Sequence, residues 1–203
     1  MSKTGHFSEL PHARRGERIG LLGGSFDPAH EGHAHITRVA LKRFRLDAVW
    51  WLVSPGNPLK DRGPADMRKR LIAARDMAPA QTIVTDVESH LGTRYTADTL
   101  AALAARYPRA RFVWLMGADN LIQFHRWHDW RWIMENFPVG VLARPGSQVK
   151  AGLSPAARRY RSWRLRRYEV GRLATCEAPA WALLTGAMSS ASSTAIRERG
   201  DWP

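Results

Sequence analysis

The sequence contains a single cysteine, Cys176, among its 203 residues. An intrachain disulfide and a metal cluster held by several cysteines are therefore both excluded. It also lacks an apolar run of the roughly 18 residues that cross a bilayer, because arginine, lysine or histidine interrupts each apolar segment. Residues 1–18 are charged and lack the apolar stretch of a secretory signal, so they are predicted to form a flexible tail. These absences favour a cytoplasmic protein that does not enter a membrane.

Residues 19–203 are predicted to form a single α/β domain, since the chain is 44% hydrophobic and 24% charged and is long enough to bury a core. Short aliphatic and β-branched runs alternate with helical patterns. The predicted strands are Ile19–Gly23, Ala48–Val53, Thr82–Val87, Phe112–Met116, Val139–Ala143 and Trp181–Leu184. This alternation predicts a Rossmann-like parallel sheet with helices on both faces, and a ligand site beyond the carboxyl ends of the strands.

Helical periodicity appears between these strands. Apolar residues recur every fourth position at Ile36, Ala40 and Phe44, and a similar pattern passes through Leu100. Pro64 is predicted to lie in the first turn of a further helix. The tryptophans at positions 50, 51 and 114 are predicted to be core residues.

The net charge of +13 is unevenly distributed along the chain. Between Lys150 and Arg172 there are eight basic residues and one acidic residue, Glu169. Such a segment can bind nucleic acid or another polyanion, or it can be a solvated surface that keeps the protein soluble. The remainder of the chain is mildly basic, which suits an enzyme acting on phosphorylated small molecules.

The loop after the first predicted strand carries the strongest chemical signal. Two glycines, Gly23 and Gly24, allow the backbone to turn sharply and approach a ligand. His30 and His33 lie three residues apart where a helix is predicted to begin, so both imidazoles share one face of a turn whose N–H groups favour phosphate. The same pair could instead bind a metal or merely cap the helix. The sequence therefore favours phosphate binding but leaves these alternatives open.

Two segments resemble the signatures of the HxGH nucleotidyltransferase superfamily. The first is Gly24–Pro28 followed by His30-x-Gly32-His33, and the second is Ser192–Arg197 near the other end of the chain. Independently of the resemblance, serine and threonine can cap a helix and donate to phosphate, and Arg197 offers a planar fork for phosphoryl oxygens.

Three segments in the middle of the chain resemble the nicotinate-nucleotide adenylyltransferase family within this superfamily. They are Ser54–Lys60, Thr93–Leu100 and Gly117–Asn120 followed by Phe124 and Trp127. The family often has a histidine before the lysine of the first segment, where this chain has Leu59. The resemblance implies transfer of AMP from ATP to nicotinate mononucleotide, giving nicotinate adenine dinucleotide and pyrophosphate, in NAD biosynthesis.

The resemblance also implies a role for each matching residue. The catalytic residues would be His30, His33 and Arg197. The ATP-binding residues would be Gly23, Gly24, Ser25, Phe26, Gly32, Asp119, Ser193 and Thr194. The pyridine-nucleotide-binding residues would be Asn57, Lys60, Tyr95, Thr96 and Trp127. Mg²⁺ would arrive bound to ATP, and no metal site made of protein residues is expected.

The sequence leaves several alternatives open. Nicotinamide mononucleotide or a phosphopantetheine-type compound could be the acceptor, and the basic segment could belong to a nucleic-acid-binding module on an inactive transferase fold, although nucleic acid is the less favoured partner. The oligomeric state is undetermined, a homo-oligomer included. The family usually carries further helical sequence after its second signature, whereas this chain ends at Pro203, so either the last helix is short or the chain is cut.

Overall fold

A six-stranded parallel sheet forms the centre of the molecule. The computed structural model describes residues 10–56, 63–143, 147–185, 193–200 and 202. Within that part of the chain the sheet has the order β3-β2-β1-β4-β5-β6, and every neighbouring pair is parallel. The strands are β1 Arg18–Gly24, β2 Ala48–Val53, β3 Thr82–Thr85, β4 Arg111–Gly117, β5 Val139–Ala143 and β6 Trp181–Thr185. The predicted parallel α/β sheet is confirmed.

Helices and 3-10 turns connect the strands. The helices are α1 Glu31–Arg43, α2 Met67–Met77, α3 Val87–Leu91, α4 Thr96–Arg106, α5 Ala118–Gln123, α6 Trp130–Asn136, α7 Gln148–Gly152, α8 Pro155–Arg159 and α9 Ser193–Glu198. The 3-10 turns are Phe124–Arg126, Arg161–Trp163 and Val170–Thr175. α4 to α8 pack on one face of the sheet, whereas α1, α2 and the turn Val170–Thr175 pack on the other. None of the helices in the described part of the chain is both long and apolar enough to cross a membrane.

The core lies on both faces of the sheet. Successive strand residues alternate between two apolar clusters, so Trp50 and Trp114 lie on one side while Trp51 lies on the other. These three tryptophans are at most 2% exposed, and their prediction as core residues is confirmed. A Cβ atom at Gly23 would lie 2.5 Å from the Cη2 atom of Trp114, so this ring requires glycine at the end of β1.

Two predicted boundaries were wrong. β3 ends at Thr85 rather than at residue 87, because Asp86 is the N-cap of α3 and Val87 its first residue. The helix predicted to start near Pro64 begins at Met67, because the carboxylate of Asp66 caps it by accepting from the Lys69 amide at 3.1 Å.

Residues 10–17, which the sequence assigns to a flexible tail, contact the folded chain. Leu10 packs against the core cluster that includes α4, and the Tyr107 hydroxyl donates to the carbonyl oxygen of Pro11 at 2.6 Å. Arg18 is already the first residue of β1, and its guanidinium pairs with Asp47. In the described chain, residues that precede β1 therefore already pack on the core.

The strand order places a crevice at the carboxyl ends of β1 and β4. β1 connects to β2 on one side, whereas β4 begins the other half of the sheet on the opposite side of β1. Connections from adjacent strands therefore diverge at this point, which is where open α/β sheets bind ligands.

Candidate functional site

The loop that leaves β1 turns at Phe26, not at the two glycines. Gly23 and Gly24 still belong to the strand and pair with Leu52 and Val53 of β2. Phe26 has φ of 45°, in the left-handed region that non-glycine residues rarely adopt. Its ring stacks on Trp51 at 5.0 Å between centroids, and it is 1% exposed. The predicted sharp turn at the glycines was therefore wrong, and core packing of the Phe26 ring supports the turn instead.

His30 and His33 cap the N-terminus of α1 reciprocally. The Nδ1 atom of His30 accepts from the Gly32 amide at 3.0 Å, and the Nδ1 atom of His33 accepts from the His30 amide at 3.2 Å. A ring nitrogen that accepts from an amide carries no proton, so each neutral imidazole has its proton on Nε2. The capping alternative is thus correct as local structure, and it gives both rings the tautomer that donates from Nε2.

The two imidazoles are also fixed by packing. Their centroids lie 4.0 Å apart, and the His33 ring lies 4.6 Å from the Phe26 ring. Behind them, the buried Thr37 hydroxyl donates to the His33 carbonyl at 2.9 Å and accepts from the Trp51 indole at 2.7 Å. His30 is 7% exposed. The rings therefore keep one orientation at the start of a 13-residue helix.

The C-terminal helix α9 contacts the same loop. The Ser193 hydroxyl donates to the Pro28 carbonyl at 2.9 Å. Arg197 donates from Nη1 to the Asp27 carbonyl, and the same nitrogen lies 3.6 Å from the Asp27 carboxylate. The Thr194 hydroxyl accepts from Nη2 of Arg197 at 3.4 Å. The two signature segments, far apart in sequence, therefore meet at one edge of the sheet.

Tyr95 and Thr96 lie at the start of α4. Tyr95 is the N-cap and makes no side-chain hydrogen bond to the helix, and it is 40% exposed. The buried Thr99 hydroxyl lies 3.2 Å from the Tyr95 carbonyl, to which it donates, and 2.8 Å from the Thr93 hydroxyl. The Tyr95 ring lies 4.5 Å from the ring of His128. This arrangement fixes the backbone at the N-terminus of α4 and leaves an aromatic side chain beside it.

Trp127 and Asp119 follow β4. Asp119 is exposed in the first turn of α5, whose N-cap is Gly117. Trp127 is half-buried, and its ring packs edge-on against Phe124 at 5.2 Å and Trp114 at 6.3 Å. Because Trp114 contacts Gly23, a row of aromatic rings links Trp127 to the end of β1.

Three residues of the predicted motifs have no described position. Asn57 and Lys60 lie outside the described residues, and so does Ser192. In the described ranges there is no group of three or more histidine, cysteine, aspartate or glutamate side chains that could hold a metal ion.

Sequence reasoning missed four residues that contact predicted site residues or their loops. They are Arg70, Thr99, His128 and Trp202. Thr99 had a signal, since it belongs to the segment Thr93–Leu100. Trp202 donates from its indole to the Asp27 carboxylate at 2.7 Å, a contact between chain ends that no local pattern indicates.

The chain is similar to known proteins in family, in sequence and in fold. The cytidylyltransferase-like family matches residues 21–199. A probable nicotinate-nucleotide adenylyltransferase of Ruegeria pomeroyi is 59% identical over 194 residues, which cover 95% of this chain and 91% of the relative. A protein of Cereibacter sphaeroides with the same description is 61% identical over 185 residues, covering 91% of this chain and 98% of the relative.

A solved structure shows the same fold at low sequence identity. The Plasmodium falciparum nicotinic acid mononucleotide adenylyltransferase complexed with NaAD aligns with a TM-score of 0.67 at 16% identity. The alignment covers 90% of this chain and 83% of that one.

Proposed function

The chain belongs to the nicotinate-nucleotide adenylyltransferase branch of the cytidylyltransferase-like family, and on that premise we propose how its residues divide the reaction. The reaction transfers AMP from ATP to nicotinate mononucleotide and releases pyrophosphate. The phosphate of the mononucleotide attacks the α-phosphorus of ATP. Because this nucleophile is already an anion at neutral pH, catalysis consists of positioning and of stabilising charge on the transferred group, without a general base.

His30 and His33 donate to ATP phosphate oxygens from Nε2. Their Nδ1 atoms accept from amides of their own turn, which supports this assignment because the neutral rings then carry protons on Nε2. The N-terminus of α1 adds its dipole and amide groups, together with the backbone of Gly23, Gly24, Ser25, Phe26 and Gly32. Donors already held in place need no reorganisation as charge develops, which is why they lower the barrier.

Arg197 binds the β- and γ-phosphates together with Ser193 and Thr194. The guanidinium contacts Asp27, in the loop that leads into α1. Its planar fork matches two phosphoryl oxygens. The carboxylate of Asp27 holds this cation near the loop before a nucleotide binds. Mg²⁺ bound to ATP would neutralise phosphate charge, and the N–H and hydroxyl donors described at this edge would bind the remaining phosphate oxygens.

The acceptor binds between the loop that follows β2 and the segments that follow β3 and β4. Amide groups of Tyr95 and Thr96, at an α4 N-terminus that the Tyr95 side chain does not cap, would bind the carboxylate of the pyridine. Trp127 stacks on the pyridine ring, whereas Asp119 accepts from the ribose hydroxyls of ATP. Asn57 and Lys60 complete the phosphate end of the acceptor site; both assignments derive from the sequence alone.

One observation carries the assignment of the reaction centre. Arg197 and Ser193 of α9 contact the backbone of Asp27 and Pro28, immediately before His30. Both phosphate-binding signatures therefore converge at the carboxyl end of β1. We propose that the reaction takes place in the cytoplasm.

The test is pyrophosphate release with ATP, Mg²⁺ and one acceptor at a time. Nicotinate mononucleotide, nicotinamide mononucleotide and 4′-phosphopantetheine form the panel. A hydrogen bond from an N–H group to a carboxylate contributes about 1.5–3 kcal/mol. The value of kcat/KM for nicotinate mononucleotide should therefore exceed that for nicotinamide mononucleotide by about 10–100-fold. Equal values for these two would remove the proposed role of the α4 N-terminus, and a preference for phosphopantetheine would remove the substrate assignment.

A further inference from the structure

Arg70 is a buried cation that the reaction as described does not use. It lies in the first half of α2 and is 1% exposed. Burial lowers the pKa of its guanidinium, while the nearby carboxylates of Asp27 and Asp66 act in the opposite direction. Arginine nevertheless keeps its proton in proteins, so the side chain is a buried charge that requires hydrogen-bond partners.

Arg70 donates to three backbone carbonyl groups, which belong to two loops. Nη1 donates to the Ser25 carbonyl at 2.7 Å and to the Ser54 carbonyl at 2.8 Å. Nε donates to the Ala65 carbonyl at 2.7 Å. Ser25 lies in the phosphate-binding loop after β1, and Ser54 is the first residue after β2. A single nitrogen therefore joins the loops that follow two adjacent strands.

The contact with Ala65 brings in the far end of the second loop. Ser54 and Ala65 flank the segment that carries Asn57 and Lys60 in the sequence. The Ala65 amide also donates to the Asp27 carboxylate at 3.3 Å. Ala65 is thus held through its carbonyl by Arg70 and through its amide by Asp27, the residue that contacts Arg197.

We propose that Arg70 is a positioning residue that fixes the ATP-binding loop after β1 and the two described ends of the loop after β2, residues 54–56 and 63–66, in one relative position. The expected effect on catalysis rests on the proposed function, whereas the role of Arg70 in holding the two loops does not. An in-line transfer requires the acceptor phosphate to lie in line with the α-phosphorus, so a small displacement between the two loops lowers the rate of the chemical step. A lysine has one ammonium and no planar fork, so it cannot reproduce three hydrogen bonds from fixed nitrogens.

The test compares Arg70→Lys and Arg70→Met with Arg68→Met, an exposed arginine two residues away on the same helix. We expect kcat to fall about 10–100-fold in both Arg70 variants, because displaced reacting groups cost this much. Binary dissociation constants for a non-hydrolysable ATP analogue alone and for nicotinate mononucleotide alone should change less than about threefold, since each loop still binds its own ligand. Arg68→Met should match the wild type.

A second readout is independent of activity. Backbone hydrogen exchange should accelerate in Arg70→Lys within residues 24–28, 54–56 and 63–66, while β1 to β4 exchange as in the wild type. Unchanged exchange in those segments, or a wild-type kcat in Arg70→Met, would overturn the inference. So would a loss of binary affinity as large as the loss of kcat, because that indicates damage to each site separately. If the wild type and Arg68→Met are inactive with nicotinate mononucleotide, the proposed function fails, and the exchange data still decide the role of Arg70.

Discussion

Two regions of this molecule use positive charge in opposite ways. At the carboxyl ends of β1 and β2 the cations are few, and those described have fixed partners: Arg70 binds three carbonyl groups and Arg197 contacts Asp27. The connection between β5 and β6 is much more basic. Its exposed arginines are Arg158, Arg159, Arg161, Arg164, Arg166, Arg167 and Arg172. None of them forms an ion pair with a carboxylate of the described chain.

Part of the basic connection also lies at the amino-terminal end of the sheet. Arg164 forms a bridge with Trp181, the first residue of β6, whereas the phosphate-binding loop follows the last residue of β1. Exposed charges are screened by salt over about 8–10 Å, while donors held in a fixed geometry act on a bound phosphate directly. In the proposed assignment, phosphoryl transfer takes place where the donors have fixed partners and not where positive charges are most numerous.

Removal of a fixed donor should have the largest effect. We expect His33→Ala to lower kcat about 10²–10³-fold, because a transition-state donor of this kind contributes about 3–4 kcal/mol. The measurement is steady-state pyrophosphate release at saturating ATP and nicotinate mononucleotide. His35→Ala, on the same helix, is the control and should keep kcat within about threefold, which is far below the expected loss. Near-normal turnover of His33→Ala would contradict the proposed role of the ring.

The sequence predicted the fold and the residues of this edge because both depend on local patterns. Strand runs and the histidine spacing are short-range features, and the alternation of strands and helices restricts the topology. Arg70 could not be predicted in the same way. Arginine suits position 70 because it donates to the carbonyl groups of residues 25 and 54. These groups approach position 70 only after the sheet forms.

The wrong boundaries have a similar cause. Asp86 and Asp66 each begin a helix where the pattern of apolar residues still fits a strand or an earlier turn. The contact of residues 10–17 with the core also depends on partners distant in sequence, such as Tyr107.

Replacement of Trp127 tests whether the proposed site also binds the pyridine ring by aromatic stacking. Stacking of an aromatic side chain on a base contributes about 1–3 kcal/mol, so Trp127→Ala should raise KM for nicotinate mononucleotide about 5–100-fold and leave KM for ATP nearly unchanged. Trp163→Ala, which removes a 46% exposed ring from the basic connection, is the matched control and should change neither constant. An effect of Trp127→Ala confined to KM for ATP would assign the ring to the other substrate.

Glu88, in α3, is a third kind of charged group. It is buried and forms no ion pair with the described residues. Burial raises its pKa to about 7 from a usual value of 4.5. A raised carboxyl pKa means that the unfolded state releases the proton first, so the contribution of Glu88 to stability is present below pH 4.5 and is lost as the pH rises through 7. The loss is about 2–4 kcal/mol.

Glu88→Gln should remove this part of the pH dependence. We therefore expect its free energy of unfolding, relative to the wild type, to increase between pH 5 and pH 8 in urea titrations. The exposed Glu177→Gln should keep the wild-type slope. Parallel curves for Glu88→Gln and the wild type would show that the buried carboxyl does not titrate in this range.

Neutralising the basic connection should have the smallest effect. A variant with Arg158, Arg161, Arg166 and Arg167 replaced by glutamine should retain kcat/KM within about twofold at physiological salt, because exposed charges are screened by salt. Kinetics at several ionic strengths would check this. A loss above tenfold at physiological salt would mean that the unfixed charges take part in substrate binding.

The most direct test of the central claim places both regions in one experiment. Single-turnover pyrophosphate release from ATP and nicotinate mononucleotide would be measured for the wild type, His33→Ala and the four-arginine variant. We predict that His33→Ala is slower by about 10²-fold or more, while the four-arginine variant follows the wild-type time course. A slow four-arginine variant beside a fast His33→Ala would contradict the claim that fixed donors, rather than charge density, carry the reaction.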